Sequence, residues 1–180
     1  MANTYQLIAS ATAGASTSSL DFTSIPATYT DLLLKVNGRT TDTSQIRDYF
    51  LLRFNSSASG YSRTWLTGYD GGAVTSAAGS TDTYGFCGTV NGFLSQANTF
   101  GNSEIYIPSY ASSVQKMYHA DCSGGFNSTT TYMMNITNVI WNNTAAITSI
   151  SLFPANGNVS SPSGNWAQNS TAYLYGIKNS

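Results

Sequence analysis

Wherever a period can be read along this chain, it is two. In Asp31–Asn37, Leu32, Leu34 and Val36 point one way while Leu33, Lys35 and Asn37 point the other; in Asp48–Asn55, Phe50, Leu52 and Phe54 oppose Tyr49, Leu51 and Arg53. Both segments predict strands with an apolar face. Tyr5–Ala9, Ser19–Phe22, Glu104–Ile107, Lys116–Cys122, Thr131–Trp141, Ile147–Phe153 and Ala172–Lys178 predict further strands, most of them rich in β-branched or aromatic residues. The run from Thr131 changes phase: Tyr132, Met134 and Ile136 share one face, whereas Val139 and Trp141 have the opposite parity. That shift predicts a bulge at Thr137-Asn138.

No window carries the i, i+3, i+4, i+7 apolar spacing of an amphipathic helix, so helix is expected only as a turn or two near Thr43–Arg47. Strands without helices to cover them must pack sheet on sheet or close into a barrel. The expected fold is all-β: an antiparallel β-sandwich, jelly-roll-like, with long Gly/Ser/Thr-rich loops. Between Ser56 and Ser103 glycines interrupt every short apolar run, which predicts loops and short edge strands there. Gly85–Gly92 lacks the lysine and following helix of a phosphate-binding loop and reads as an ordinary loop. One domain is expected over residues 1–180, with residues 1–18 an extended N-terminal arm or edge strand.

Composition narrows the function. Of 180 residues, 13% are aromatic and only 8% charged, against a usual charged share of about 25%. Such a chain has the rings to build a core, but its net charge of −1 supplies too few cations to neutralise a run of phosphates, so no nucleic-acid partner is expected. No basic region precedes the short Leu7-Ile8-Ala9 run and no stretch approaches the ~20 apolar residues of a membrane helix, so neither a signal peptide nor a membrane partner is expected. Ser, Thr and Asn make up about 36% of the chain and give a neutral polar surface that tolerates dense packing between copies. The Asn-x-Ser/Thr sequences at Asn55, Asn127, Asn135, Asn142, Asn158 and Asn169 carry little information, since this composition produces about four by chance.

Candidate chemistry is sparse. Glu104 is the sole glutamate and His119 the sole histidine. In His119-Ala-Asp121-Cys122, alternation puts His119 and Asp121 on one face of a strand and Cys122 on the other, which separates thiol from imidazole. Cys87 and Cys122 are expected as free, buried thiols. Asp70-Gly71-Gly72 reads as a tight turn, and Asp42 and Asp48, which flank Arg47, as turn and strand-end residues. No catalytic residue, cofactor or metal site is expected. Tyr61, Trp65 and Tyr69 share one parity and are candidates for a partner or glycan contact, although the same parity serves core or interface packing. Trp141 and Trp166 are expected to pack inside or under a loop.

The segments Ile25–Thr40, Phe54–Ser57, Glu104–Tyr110, Ala146–Leu152 and Ala172–Lys178 together resemble β-sandwich structural proteins of tailed bacteriophages, especially marine phages, among which are virion decoration proteins and tail-fibre tips. The resemblance runs in order through nearly the whole chain. It implies a non-enzymatic virion protein, assembled in the host cytoplasm, that docks on the major capsid protein or other virion proteins as a homo-oligomer, with a trimer favoured. The lack of a shaft or coiled-coil region favours capsid decoration. The alternative is a receptor- or glycan-binding module of a tail or head fibre, with the Ser56–Ser103 loops meeting a host-surface glycan.

Overall fold

A computed structural model describes residues 4–125 and 132–178. The chain forms β1 (Tyr5–Thr12), β2 (Leu20–Phe22), β3 (Asp31–Gly38), β4 (Arg47–Phe54), β5 (Tyr61–Tyr69), β6 (Thr75–Asp82), β7 (Gly85–Asn91), β8 (Gly101–Ile107), β9 (Lys116–Gly125), β10 (Tyr132–Trp141), β11 (Ile150–Pro154) and β12 (Thr171–Ile177). No helix occurs among the described residues, and the stretch near Thr43 is only a turn. Sequence position 131, where one expected strand began, and the Asn-x-Ser/Thr site at Asn127 lie outside the described residues.

The strands make two antiparallel sheets packed face to face. One has eight strands in the order β1-β12-β3-β8-β9-β10-β5-β6, the other four in the order β2-β11-β4-β7. From β2 to β11 the path is that of a jelly roll in which the β8–β9–β10 meander stands where a single strand would suffice. β1 and β12 widen the larger sheet on one side. The predicted inward faces hold in β3, β4, β8 and β9: Leu32, Leu34, Val36, Phe50, Leu52, Phe54, Ile105, Ile107, Tyr118 and Ala120 all lie in one core with Trp141 and Trp166, while Leu51, on the other face of β4, is buried in a small second cluster with Phe86 and Ala155.

Three expectations are corrected. β7 is a strand, not a loop, and every residue of it is buried. It lies against β9 and β10 of the larger sheet, while Phe86 is covered by Tyr49 and Trp65 at ring distances of 5.4 and 5.3 Å. A strand buried on both sides has no polar face, and its glycines mark close approach: a Cβ on Gly85 would stand 2.5 Å from the Tyr118 hydroxyl. The stretch expected as loops and short edge strands also holds β5 and β6: β6 is an edge strand of the larger sheet, whereas β5, nine residues long, lies inside it. The bulge expected at Thr137-Asn138 is absent, for β10 keeps unbroken register with both β9 and β5. The apparent phase change comes from polar residues on the buried face. Asn135 and Thr137 point into the core, where the Asn135 amide donates to Thr67 at 2.5 Å and the Thr89 hydroxyl donates to Asn135.

Candidate functional site

The groups expected to do no chemistry stand as follows. His119 Nε2 lies 3.2 Å from Asp121 on the solvent side of β9, and Cys122 faces the core from the other side. Both cysteines are free and buried. Burial pushes the Cys122 thiol up to about 11 and raises Cys87 well above the ordinary value, so neither is poised as a thiolate near neutral pH. Among the described residues no three His, Cys, Asp or Glu side chains converge as metal ligands. Asp70 and Gly71 turn the chain from β5 to β6 with positive φ, and the Asp70 carboxylate accepts the Tyr132 N–H at 2.7 Å.

Asp48 is more unusual. It lies on the buried face of β4, and its Oδ1 accepts the Tyr49 and Gly157 N–H groups, each at 2.7 Å. Oδ2 has no aligned partner, although the Thr40 hydroxyl is near enough to ease the charge. Burial outweighs these bonds and raises the pKa, with a smaller push from Asp42. A carboxyl whose folded pKa exceeds its unfolded value loses stabilising effect as pH rises through that window. Asp48→Asn keeps the Oδ1 acceptor and removes the charge, so the wild type is expected to gain stability relative to this variant as pH falls from 7 to 4. Urea midpoints measured across that range check it; a difference independent of pH refutes it.

Tyr61, Trp65 and Tyr69 do share a face, and it is the inner one. Tyr61 is fully buried and stacks on Trp141 at 6.2 Å, so it offers no surface contact. Trp65 is half-buried beneath the Arg63 guanidinium at 5.2 Å, and Arg63 is itself paired with Asp82 at 2.5 Å. Tyr69 is half-buried with Arg47 over its ring at 4.6 Å. The three do not form an exposed patch.

What the sequence reading missed lies on the opposite face. The smaller sheet covers one side of the larger, and among the described residues no element covers the other. Register places Tyr173, Lys35, Glu104, Asp121, Ile136 and Leu66 in one row across this face, with Leu7, Tyr175, Leu33, Tyr106, His119 and Asn138 in the next. Two distinct regions result. On β9, β10 and β5 lies an apolar strip in which Leu66 is 48% exposed, Met117 50%, Met134 54% and Ile140 41%. On β1, β12, β3 and β8 lies a pocket of about 330 Å³ lined by Tyr5, Leu33, Lys35, Glu104 and Tyr175. Lys35 and Glu104 meet at 3.2 Å. Tyr106 stands beside Leu33, and its hydroxyl donates to Asp31 at 2.8 Å, which fixes the ring. The signal was present as the alternation Tyr173-Leu174-Tyr175, but which parity faces solvent depends on which side receives the second sheet.

No family model matches this chain, and no curated protein matches it. Among solved structures, the CBM2 module of the evolved Dit of Lactobacillus casei BL23 phage J-1 aligns over 94% of this chain and 76% of that one, at 13% identity and a TM-score of 0.20. A likeness of that size carries no argument about fold or function.

Proposed function

We propose that this protein is a non-enzymatic structural protein of a phage virion, a decoration subunit that docks on the major capsid protein lattice and reinforces it. The observation that carries the reading is the apolar strip of Leu66, Met117, Met134 and Ile140, exposed on a sheet face that the fold has no layer to cover. The polar row of His119, Asn138 and Thr64 divides the strip into a part with Leu66, Ile136 and Met134 and a part with Met117 and Ile140, and exposed apolar side chains grouped in this way on a sheet mark a contact site. Strand hydrogen bonds fix the backbone that carries these side chains, so docking has only their rotamers to order. The resemblance of the strand-and-turn segments to virion sandwiches supplies the setting. Repetition over a lattice makes modest contacts cumulative, and a cyclic homo-oligomer, a trimer by preference, adds to that.

Removing the protein from purified particles is expected to lower their resistance to heat or osmotic shock, and adding it back to restore it. Unchanged resistance after clean removal contradicts reinforcement. Ile136→Lys, which puts a charge into the middle of the strip and stands directly across from Asp121 so that the new charge is not opposed by a like one, is expected to weaken rebinding at least tenfold while leaving the unfolding midpoint nearly unchanged; rebinding as tight as wild type moves the contact elsewhere.

A further inference from the structure

We propose that Tyr5, Tyr175, Lys35 and Glu104 form a binding site for a neutral saccharide ring. The inference does not rest on the decoration reading. It differs from the loop-borne glycan contact expected at Tyr61, Trp65 and Tyr69, of which Tyr61 is buried and Trp65 and Tyr69 lie half-buried under arginine side chains.

A pyranose has an apolar C–H face and a rim of hydroxyls that both donate and accept. The pocket matches both parts. Tyr5 and Tyr175 offer rings to the C–H face, and Leu33 gives the floor between them. At the rim, the Lys35 ammonium donates and the Glu104 carboxylate accepts, held against each other at 3.2 Å yet each more than half exposed, so both keep unused hydrogen-bonding capacity. Tyr173, directly opposite Lys35, and Tyr106, held in place by Asp31, stand on the same face beside the lining. At about 330 Å³ the pocket is at the small end for small-molecule sites, ring-sized rather than chain-sized.

Charge selects among ligands. Lys35 is neutralised by Glu104, and Asp121 lies directly across from Glu104 on β9. An anionic sugar, phosphate or lipid headgroup would therefore meet in the lining one carboxylate for its one ammonium and a further carboxylate, paired with His119, beside it, and would find no net positive charge, whereas a neutral sugar meets no net repulsion. A purely apolar ligand would have to cover the ion pair without replacing its water.

The site and the apolar strip share a sheet but not a direction. β12 and β10 are four strand steps apart. A twist of roughly 20–25° per step turns their outward normals by about 80–100°. A subunit seated through the strip can thus leave the tyrosine pocket open to solvent.

The test titrates the full chain with neutral gluco-, galacto- and manno-oligosaccharides and with oligogalacturonate as the anionic counterpart, read by calorimetry and by tyrosine-ring NMR signals. At least one neutral series is expected to saturate the protein and to shift the Tyr5 and Tyr175 rings, with oligogalacturonate binding at least tenfold more weakly. Tyr175→Ala is expected to reduce affinity about tenfold or more. Tyr5→Ala, on an exposed edge strand, does the same without risk to the core, and Met134→Ala leaves binding unchanged. Absence of binding by every neutral series, stronger binding of oligogalacturonate, or affinity undiminished in both tyrosine variants overturns the proposal.

Discussion

Phe54→Ala is expected to destabilise the fold by about 3–5 kcal/mol, a large share of the 5–15 kcal/mol typical of a domain. Phe54 ends β4 in the smaller sheet and is fully buried. Its ring meets three aromatics of the larger sheet: Trp141 at 5.5 Å and Tyr118 at 5.7 Å, both edge-on, and Tyr61 at 6.3 Å. Its own N–H donates to the buried Tyr61 hydroxyl at 2.9 Å. One side chain thus joins β4 to β5, β9 and β10, and the rings around it are too interlocked to close a cavity. Urea unfolding followed by tryptophan fluorescence measures the loss; a change below about 1 kcal/mol would show that the sheets do not depend on this cluster.

Gly88→Ala is expected to cost about 2–6 kcal/mol, from roughly 1–3 kcal/mol of backbone strain and a similar amount of overpacking. Gly88 has φ +127°, and a Cβ there would stand 2.5 Å from Cys122 Sγ. Cys87, just before it, is the extra residue where β7 slips register against β4 between Phe50 and Leu51. The Cys122 thiol donates to the Cys87 carbonyl at 3.0 Å, so the crowding is built around the bulge. Cys122→Ala removes the obstructing sulfur but leaves the φ unchanged. The double variant Gly88→Ala/Cys122→Ala should therefore lose clearly less than the two single losses added together. Strict additivity would place the whole cost in the backbone.

How much of this was legible beforehand differs from element to element. β3 and β4 announced themselves because one face of each is apolar and packs into the main core, although the other face of β4 also carries a buried residue, Leu51, in a small second cluster with Phe86 and Ala155. β7 has no solvent face and carries Gly85 and Gly88 where β9 presses closest, so the same reasoning makes it look like a loop. β10 inverts the code: Asn135 and Thr137 are inside, satisfied or enclosed by neighbours, while Met134 and Ile140 are outside. That inversion simulated a bulge, and it is also the trace of the strip proposed as the docking surface. Tyr173 and Tyr175 alternate with Leu174 plainly enough, yet the pocket they help build with Tyr5 joins opposite ends of the chain. Only the pairing of β1 with β12 brings those residues together.

The central claim, that the open face of the larger sheet is where this protein makes contact, is tested most directly by methionine oxidation on and off the particle. Met117 and Met134 lie half-exposed on the strip, whereas Met133, adjacent in sequence, is 4% exposed and serves as an internal control. In the free protein Met117 and Met134 should oxidise quickly and Met133 slowly. On intact particles both strip methionines should become as resistant as Met133. Oxidation of Met117 and Met134 at the free rate while the protein remains bound would contradict the account.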